Sequence, residues 1–203
     1  MKTTCLIGLI LPVFLFGCGA APTAEDVVVR SERSASEYKS TIASMTRSDE
    51  RYSGFQHLYK VNVTLRTSAV EAARLERLAF FRQWTKEIYL KERSDSVRDL
   101  SLKSHVFLGY YSPNASTDQL QRKSSIWEIY LETNGQKYKG HIQKSTRKQD
   151  ELIGLYPHHS RFFTPYTATF DVPMTAVEVA DAKIIFASSL GQAIFNFPLS
   201  KTN

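Results

Sequence analysis

Seven short segments with the residue pattern of β-strands dominate the chain from Phe55 to its end. In the clearest of them, residues 59–65, apolar and polar side chains alternate, so that one face of the strand is buried and the other is wet. The other six segments are residues 105–111, 126–132, 137–143, 166–172, 182–187 and 193–199. Many short strands at close spacing predict an antiparallel β-sandwich.

Turn-forming residues between these segments support hairpin connections. Asn134-Gly135 is the strongest short sequence signal for a two-residue hairpin, because both positions tolerate a positive φ. Leu190-Gly191 indicates a second hairpin turn. Pro198 cannot donate to a strand ladder, so the last strand is expected at the edge of its sheet.

A helix interrupts the strands. Residues 69–93 are rich in Ala, Leu, Glu and Arg and contain no Gly or Pro, which predicts one long helix. Ser68 and Glu71 have the spacing of a capping box at its start. The expected fold class is therefore α+β and β-rich: an antiparallel β-sandwich of immunoglobulin-like layout, with one long helix inserted after the first strand.

The first residues of the chain have the pattern of an export signal. Lys2 precedes an apolar run over residues 6–16. That run is well short of the roughly 20 residues that a membrane-spanning helix needs, and its layout is typical of a secretory signal peptide. It ends in Leu15-Phe16-Gly17-Cys18, which resembles the lipobox of bacterial lipoproteins.

The resemblance implies a lipid anchor. In lipoproteins of this type a diacylglycerol is attached to the cysteine, here Cys18, signal peptidase II cuts before it, and the new amino group receives a further acyl chain such as palmitate. Gly19, in place of aspartate, favours the outer membrane over the inner membrane. The alternative is an ordinary signal peptide cut after Ala20 or Ala21, which would release a soluble protein.

This interpretation divides the chain into three parts. Residues 1–17 are the signal peptide, residues 18–54 are the lipidated Cys18 with a flexible tether and lead-in, and residues 55–203 are the sandwich domain with its helix at about 69–93. Tyr38, Ile42 and Met45 are spaced as one stripe of a short helix in the lead-in.

Composition limits the chemistry. With 42% hydrophobic and 12% aromatic residues the chain can build a core. Its two cysteines are Cys5, in the signal, and Cys18. On this interpretation the folded part has neither a disulfide, a thiolate nucleophile nor a zinc–cysteine site, and no cofactor is expected.

One loop carries the most distinctive candidate binding residues: Tyr156, His158, His159 and Arg161. The two histidines could bind a metal ion, or form a polar patch in a groove with the tyrosine and the arginine. Neighbouring residues on an extended chain point to opposite sides, so both seldom bind one metal. A loop with surface histidines is therefore expected, and no metal site is assigned.

A second candidate is a basic hairpin with the loop that follows it. Lys137, Lys139, Lys144 and Lys148 could attract an anionic lipid or glycan. The alternative is a solvated strand face whose lysines protect a sheet edge from pairing.

Catalytic motifs are missing from the sequence: it contains no G-x-S-x-G, H-E-x-x-H, P-loop or G-x-G-x-x-G pattern. The sequence therefore predicts a membrane-anchored envelope lipoprotein that acts as a non-catalytic binding or structural module, on the periplasmic side. Its expected partners are the membrane, through the acyl chains, and an envelope protein or an anionic glycan or lipid, but no nucleic acid. The alternative is an envelope hydrolase or metal-binding protein that uses His158 and His159.

Overall fold

A computed structural model describes residues 33–114 and 117–199. The predicted signal peptide, Cys18 and the tether before Arg33 lie outside the described residues. Within them the chain forms five helices and nine strands. In chain order these are α1 Ala35–Ser44, β1 Thr46–Ser53, β2 Gln56–Leu65, α2 Ser68–Arg82, α3 Lys86–Leu100, β3 Ser104–Tyr111, β4 Glu128–Thr133, β5 Gln136–Lys139, β6 His141–Lys144, α4 Gln149–Leu155, β7 Thr164–Phe170, α5 Met174–Glu178, β8 Ala182–Ser188 and β9 Gly191–Phe197.

The strands form two sheets. One has five strands in the order β1-β2-β3-β7-β6, and the other has four in the order β5-β4-β8-β9. Every pair of neighbours is antiparallel. The fold is therefore α+β with two antiparallel sheets, which confirms the predicted class at this level. The last strand, β9, lies at a sheet edge as Pro198 predicts.

The main apolar core draws on both sheets. Val61 and Val63 of β2 belong to the same buried cluster as Leu131 of β4 and Phe186 of β8. Trp127 stacks on Phe186, with the ring centroids 4.2 Å apart. The two sheets thus share one core, as the alternating pattern of the strands requires.

A second core lies on the opposite face of the five-stranded sheet. Phe107 of β3 packs there with Tyr38 and Ile42 of α1 and with residues of α2 and α4. The Tyr38 hydroxyl donates a hydrogen bond of 2.6 Å to the backbone oxygen of Leu155. The five-stranded sheet is consequently covered on both faces, by the small sheet on one side and by helices on the other.

The predicted turns have the expected geometry. Asn134 and Gly135 both have positive φ, at 51° and 73°, and join the paired residues Thr133 and Gln136, as a type I′ hairpin requires. The turn before Gly191 joins β8 to β9, because Ser188 pairs with Gly191.

The described part of the expected lead-in contains regular structure. α1 presents Tyr38 and Ile42 to the core, as the stripe predicts, whereas Met45 lies just beyond the helix as its C-cap and is partly buried. The strand β1 follows at once and pairs with β2 over its whole length. Arg47 and Arg51 of β1 donate to backbone oxygens of β9, so the two sheets meet along this side.

The single helix expected over residues 69–93 is wrong in its extent. α2 ends at Arg82, Gln83 adopts the left-handed conformation with φ 50°, and α3 begins at Lys86 with Thr85 as its cap. Trp84, between the helices, packs against the second core. The helix ends without any Gly or Pro, where Trp84 is partly buried and Thr85 caps the next helix.

The expected capping box at Ser68 and Glu71 is also wrong. The cap of α2 is Thr67, whose hydroxyl accepts from the backbone N–H of Val70. Glu71 turns away from the helix terminus, because two arginines bind its carboxylate, Arg66 and Arg74.

The strand expected over residues 137–143 is two strands in different sheets. β5 ends at Lys139 in the small sheet, and β6 begins at His141 in the large one. Gly140 makes this crossing possible, since a Cβ there would lie 2.7 Å from both Ile129 Cγ2 and Phe170 Cε1.

We expect Gly140→Ala to destabilise the protein by about 1–3 kcal/mol, because both neighbouring side chains are fully buried and cannot yield freely. The change in the urea midpoint measures it. Gly54→Ala is the control, because a Cβ at Gly54 would have no neighbour within 4 Å although the residue has φ +58°. This substitution should lower the free energy of unfolding only by the backbone strain, about 1 kcal/mol. A loss at Gly140 no larger than that at Gly54 would contradict the tight crossing.

Candidate functional site

The loop of residues 156–161, which we call the histidine loop, lies against the helix-covered face of the large sheet. His158 Nε2 is 3.1 Å from the hydroxyl oxygen of Thr64, and the His158 backbone oxygen accepts from Asn62 Nδ2 at 3.2 Å. His159 is buried, and its Nε2 lies 3.2 Å from Gln149 Nε2. The loop therefore provides partners for polar side chains of β2, and the histidines are not the surface residues expected from the sequence.

Burial determines the charge of both rings. Removal from water lowers the pKa of His158 to about 4, with a smaller contribution from His159, and burial lowers the pKa of His159 to about 4 as well. Both rings are neutral at neutral pH. They consequently add no positive charge to this region.

A buried ion cluster lies at the junction of β2 and α2. Arg66 Nε and Nη2 donate to Glu71 Oε2 at 3.0 and 2.8 Å. Arg74 Nε donates to the same oxygen at 3.0 Å, and its Nη2 donates to Glu71 Oε1. Burial by itself would raise the pKa of Glu71, but the two guanidinium groups outweigh it and hold that pKa far below its usual value.

Beside this cluster is a small polar pocket with a volume of about 60 Å³. Three arginines and three hydroxyl-bearing residues line it, and none of its described lining residues is acidic. They are Arg66, Arg74, Arg147, Ser145, Tyr156 and Thr167, with Phe107, Leu152 and Leu155 as the apolar part. We call this the arginine pocket.

The arginine pocket has more cationic than anionic charge around it. Arg66 and Arg74 share one carboxylate, and their Nη1 groups take no part in the bonds to it. Arg147 pairs with Glu151, but Glu151 also pairs with Arg82 at 2.8 Å. Burial, followed by the nearby Arg66 cation, lowers the pKa of His105. Four arginines therefore share two carboxylates here, an excess of two positive charges.

Tyr156 connects the pocket to the core. It is buried and stacks on Phe107, with the centroids 3.7 Å apart and an angle of 3° between the rings. Among the predicted binding residues it is the one that lines the arginine pocket. His158 and His159 follow it in the same loop but do not line the pocket.

The structure does not bring the other predicted residues together. Arg161 is exposed, and its guanidinium carbon lies 5.0 Å from the ring centre of Phe162. Lys137 and Lys139 are on β5 in the small sheet, whereas Lys144 ends β6 in the large sheet and Lys148 precedes α4. The basic hairpin expected from the sequence is thus not a single surface.

The lysines of β5 instead face neighbours on β4. Lys139 Nζ pairs with Glu128, and Lys137 Nζ lies 4.2 Å from the ring centre of Tyr130. These contacts are typical of a solvated strand face.

Arg66 and Arg74, two of the three arginines that line the pocket, were not predicted from the sequence. Arg66 follows a strand, and Glu71 and Arg74 are spaced i, i+3 on a helix, which is the pattern of an ordinary surface pair. Their position next to Val70 and Ala73, on the buried side of α2, was the available signal.

Comparison with protein-family models, curated proteins and solved structures finds no match to this chain. No helix within residues 33–114 and 117–199 has both the length and the apolar character needed to cross a membrane. Those same residues contain no group of three or more His, Cys, Asp or Glu side chains arranged to bind a metal ion.

The two neutral histidines predict a pH dependence of stability. Their folded pKa of about 4 lies below the ordinary value of 6.5, so the unfolded chain takes up protons first as the pH falls. The free energy of unfolding should decrease from about pH 6.5 downwards, by up to about 1 kcal/mol per pH unit for each histidine. Carboxylates with lowered pKa values contribute only below about pH 4.5.

Urea unfolding at pH 7.0, 6.0 and 5.0 measures this slope. His158→Gln and His159→Gln should each make it shallower, since glutamine keeps a polar group near the Nε2 position without a titrating proton. The control is His141→Gln on β6, whose side chain is exposed. If neither His158→Gln nor His159→Gln alters the slope, the lowered pKa values of these histidines are contradicted.

Proposed function

We propose that this protein is a lipid-anchored lipoprotein of the bacterial envelope, and that its folded part is a non-catalytic module that binds an anionic group in the arginine pocket. The observation that supports binding is the convergence of three arginines and three hydroxyl-bearing residues on one small cavity. Guanidinium groups bind phosphate and carboxylate through paired N–H donors, and more strongly where water is limited.

The size of the pocket limits the ligand. A buried water needs about 10–15 Å³ of such space, so a volume of about 60 Å³ accommodates only a few atoms. A phosphate, sulfate or carboxylate group fits, but a whole sugar or lipid does not. The part of the ligand that enters the pocket is then one charged group, either a free anion or the charged end of an anionic glycan or a lipid headgroup.

The contacts of the histidine loop favour a structural role for it over the alternative of a hydrolase or metal-binding protein. The Nε2 atom of His158 is hydrogen-bonded to Thr64, and the Nε2 atom of His159 is hydrogen-bonded to Gln149. In the pocket, the Ser145 hydroxyl accepts from the backbone N–H of Arg147 and has no base beside it among the described contacts.

An immunoglobulin-like layout of the two sheets stays a prediction, which their antiparallel pairing supports.

The anchor is tested by the intact mass of the expressed protein beside Cys18→Ala. The wild type should lose residues 1–17, gain the mass of its acyl chains and partition into the detergent phase, because two or more acyl chains anchor stably. The alanine variant should do none of these. Release of both forms as soluble, unmodified protein would contradict the lipid anchor, and fractionation of the envelope tests the outer-membrane location favoured by Gly19.

Binding in the arginine pocket is tested by calorimetric titration with inorganic phosphate. Arg147→Gln should weaken binding about tenfold or more, since it removes a charged donor, and Tyr156→Phe should weaken it several-fold, since it removes only the hydroxyl. Arg82→Gln is the matched control: it removes the same charge and also breaks a pair with Glu151, but Arg82 does not line the pocket. Equal losses at Arg82 and Arg147 would mean nonspecific attraction.

A further inference from the structure

An aromatic and basic surface lies on the helical layer, on the side where the described chain begins. Phe80 and Phe81 of α2 and Ile153 of α4 are each about 40% exposed. Beside them a groove of about 270 Å³ runs between α1, α2 and α4, and Ala35 at the start of α1 is among its lining residues. We call this the helical face.

The aromatic part of the helical face packs against neighbouring helices. The ring of Phe81 lies against Gly154 of α4, where an added Cβ would be 2.8 Å away. The guanidinium of Arg77 lies over the rings of Phe81 and Tyr38, with distances of 4.8 and 5.4 Å to the ring centres. The two helices therefore pack against each other at Phe81 and leave these apolar groups partly exposed.

Cationic groups surround the apolar ones. Lys39 lines the groove together with Arg77, and Arg82, Arg147 and Lys148 line a second depression close by. Glu151 is the acidic residue that lines this depression, and Arg82 and Arg147 neutralise its charge. Aromatic and aliphatic side chains rimmed by basic residues suit the interface of an anionic bilayer, where the rings enter the headgroup region and the cations face phosphate.

The position of the anchor agrees with this surface. Residues between Cys18 and Arg33 span at most about 50 Å when fully extended, and only the cap residue Ser34 lies between Arg33 and α1. The acyl chains on Cys18 would therefore hold the bilayer within reach of the helical face. On the basis of the proposed lipid anchor, we infer that the helical face docks on the anionic membrane surface to which Cys18 is attached.

The full lipidated protein, reconstituted in vesicles containing phosphatidylglycerol, allows a direct test. Because the chain has only Cys5 and Cys18, an introduced cysteine is the only one open to labelling after processing. An environment-sensitive fluorophore at Ile153→Cys reports the helical face. The same label at Ile194→Cys is the matched control, an exposed isoleucine on the outer side of the small sheet.

The label at position 153 should shift to shorter wavelength and be quenched by lipid-borne quenchers, while the label at position 194 stays in water. Lys148→Gln should lower the ratio of docked to undocked protein about five-fold, the equivalent of one basic residue at an anionic surface. Phe80→Ser should lower it as well, and a thermal unfolding curve for each variant checks that the fold is retained.

Equal quenching at both positions, in protein whose mass shows the acyl chains, would overturn docking and leave the anchor intact. Absence of the acyl mass would overturn the anchor, and docking with it. A spectral shift at position 153 that follows protein concentration in detergent, without quenching by lipid, would assign the helical face to a second copy of the chain and overturn membrane docking.

Discussion

Coverage of the five-stranded sheet on both faces is the constraint on which the rest of the structure depends. One face is apolar and shares a core with the small sheet, but the other carries Asn62, Thr64 and His105, which are buried under the helices. Buried polar groups need hydrogen-bond partners. The loop after α4 supplies them to Asn62 and Thr64, and Asp99 at the end of α3 supplies one to His105 at 2.6 Å.

The same constraint explains why charge is buried beside α2. The carboxylate of Glu71 is removed from water at the junction of helix and sheet, where an unpaired charge would be costly, so two arginines bind it. One carboxylate cannot use the donors of two guanidinium groups, each with five N–H bonds. Arg66 and Arg74 also line a cavity, so the structural ion cluster forms part of the arginine pocket.

Local sequence signals predicted most of the strands, but they missed β1 and did not predict the breaks. The alternation in residues 59–65 and the Asn134-Gly135 turn depend on neighbours in the chain, and both are confirmed. The crossing at Gly140 depends on Phe170, and the interruption of the long helix depends on the second core that receives Trp84. Such distant contacts leave no periodic pattern, so the helix and the strand at these points were predicted too long.

The candidate site was harder to predict because a charged residue type does not reveal its environment. Lys137 and Lys139 stood out by spacing, yet they contact neighbours on β4 in an exposed sheet face. Arg66 and Arg74 gave no such signal, because an i, i+3 pair in a sequence is usually on the surface. What separates the two groups is burial, which follows from how α2 lies on the sheet. For a pocket built from two helices, two strands and three connecting segments, the chemistry follows from tertiary packing and not from any one segment.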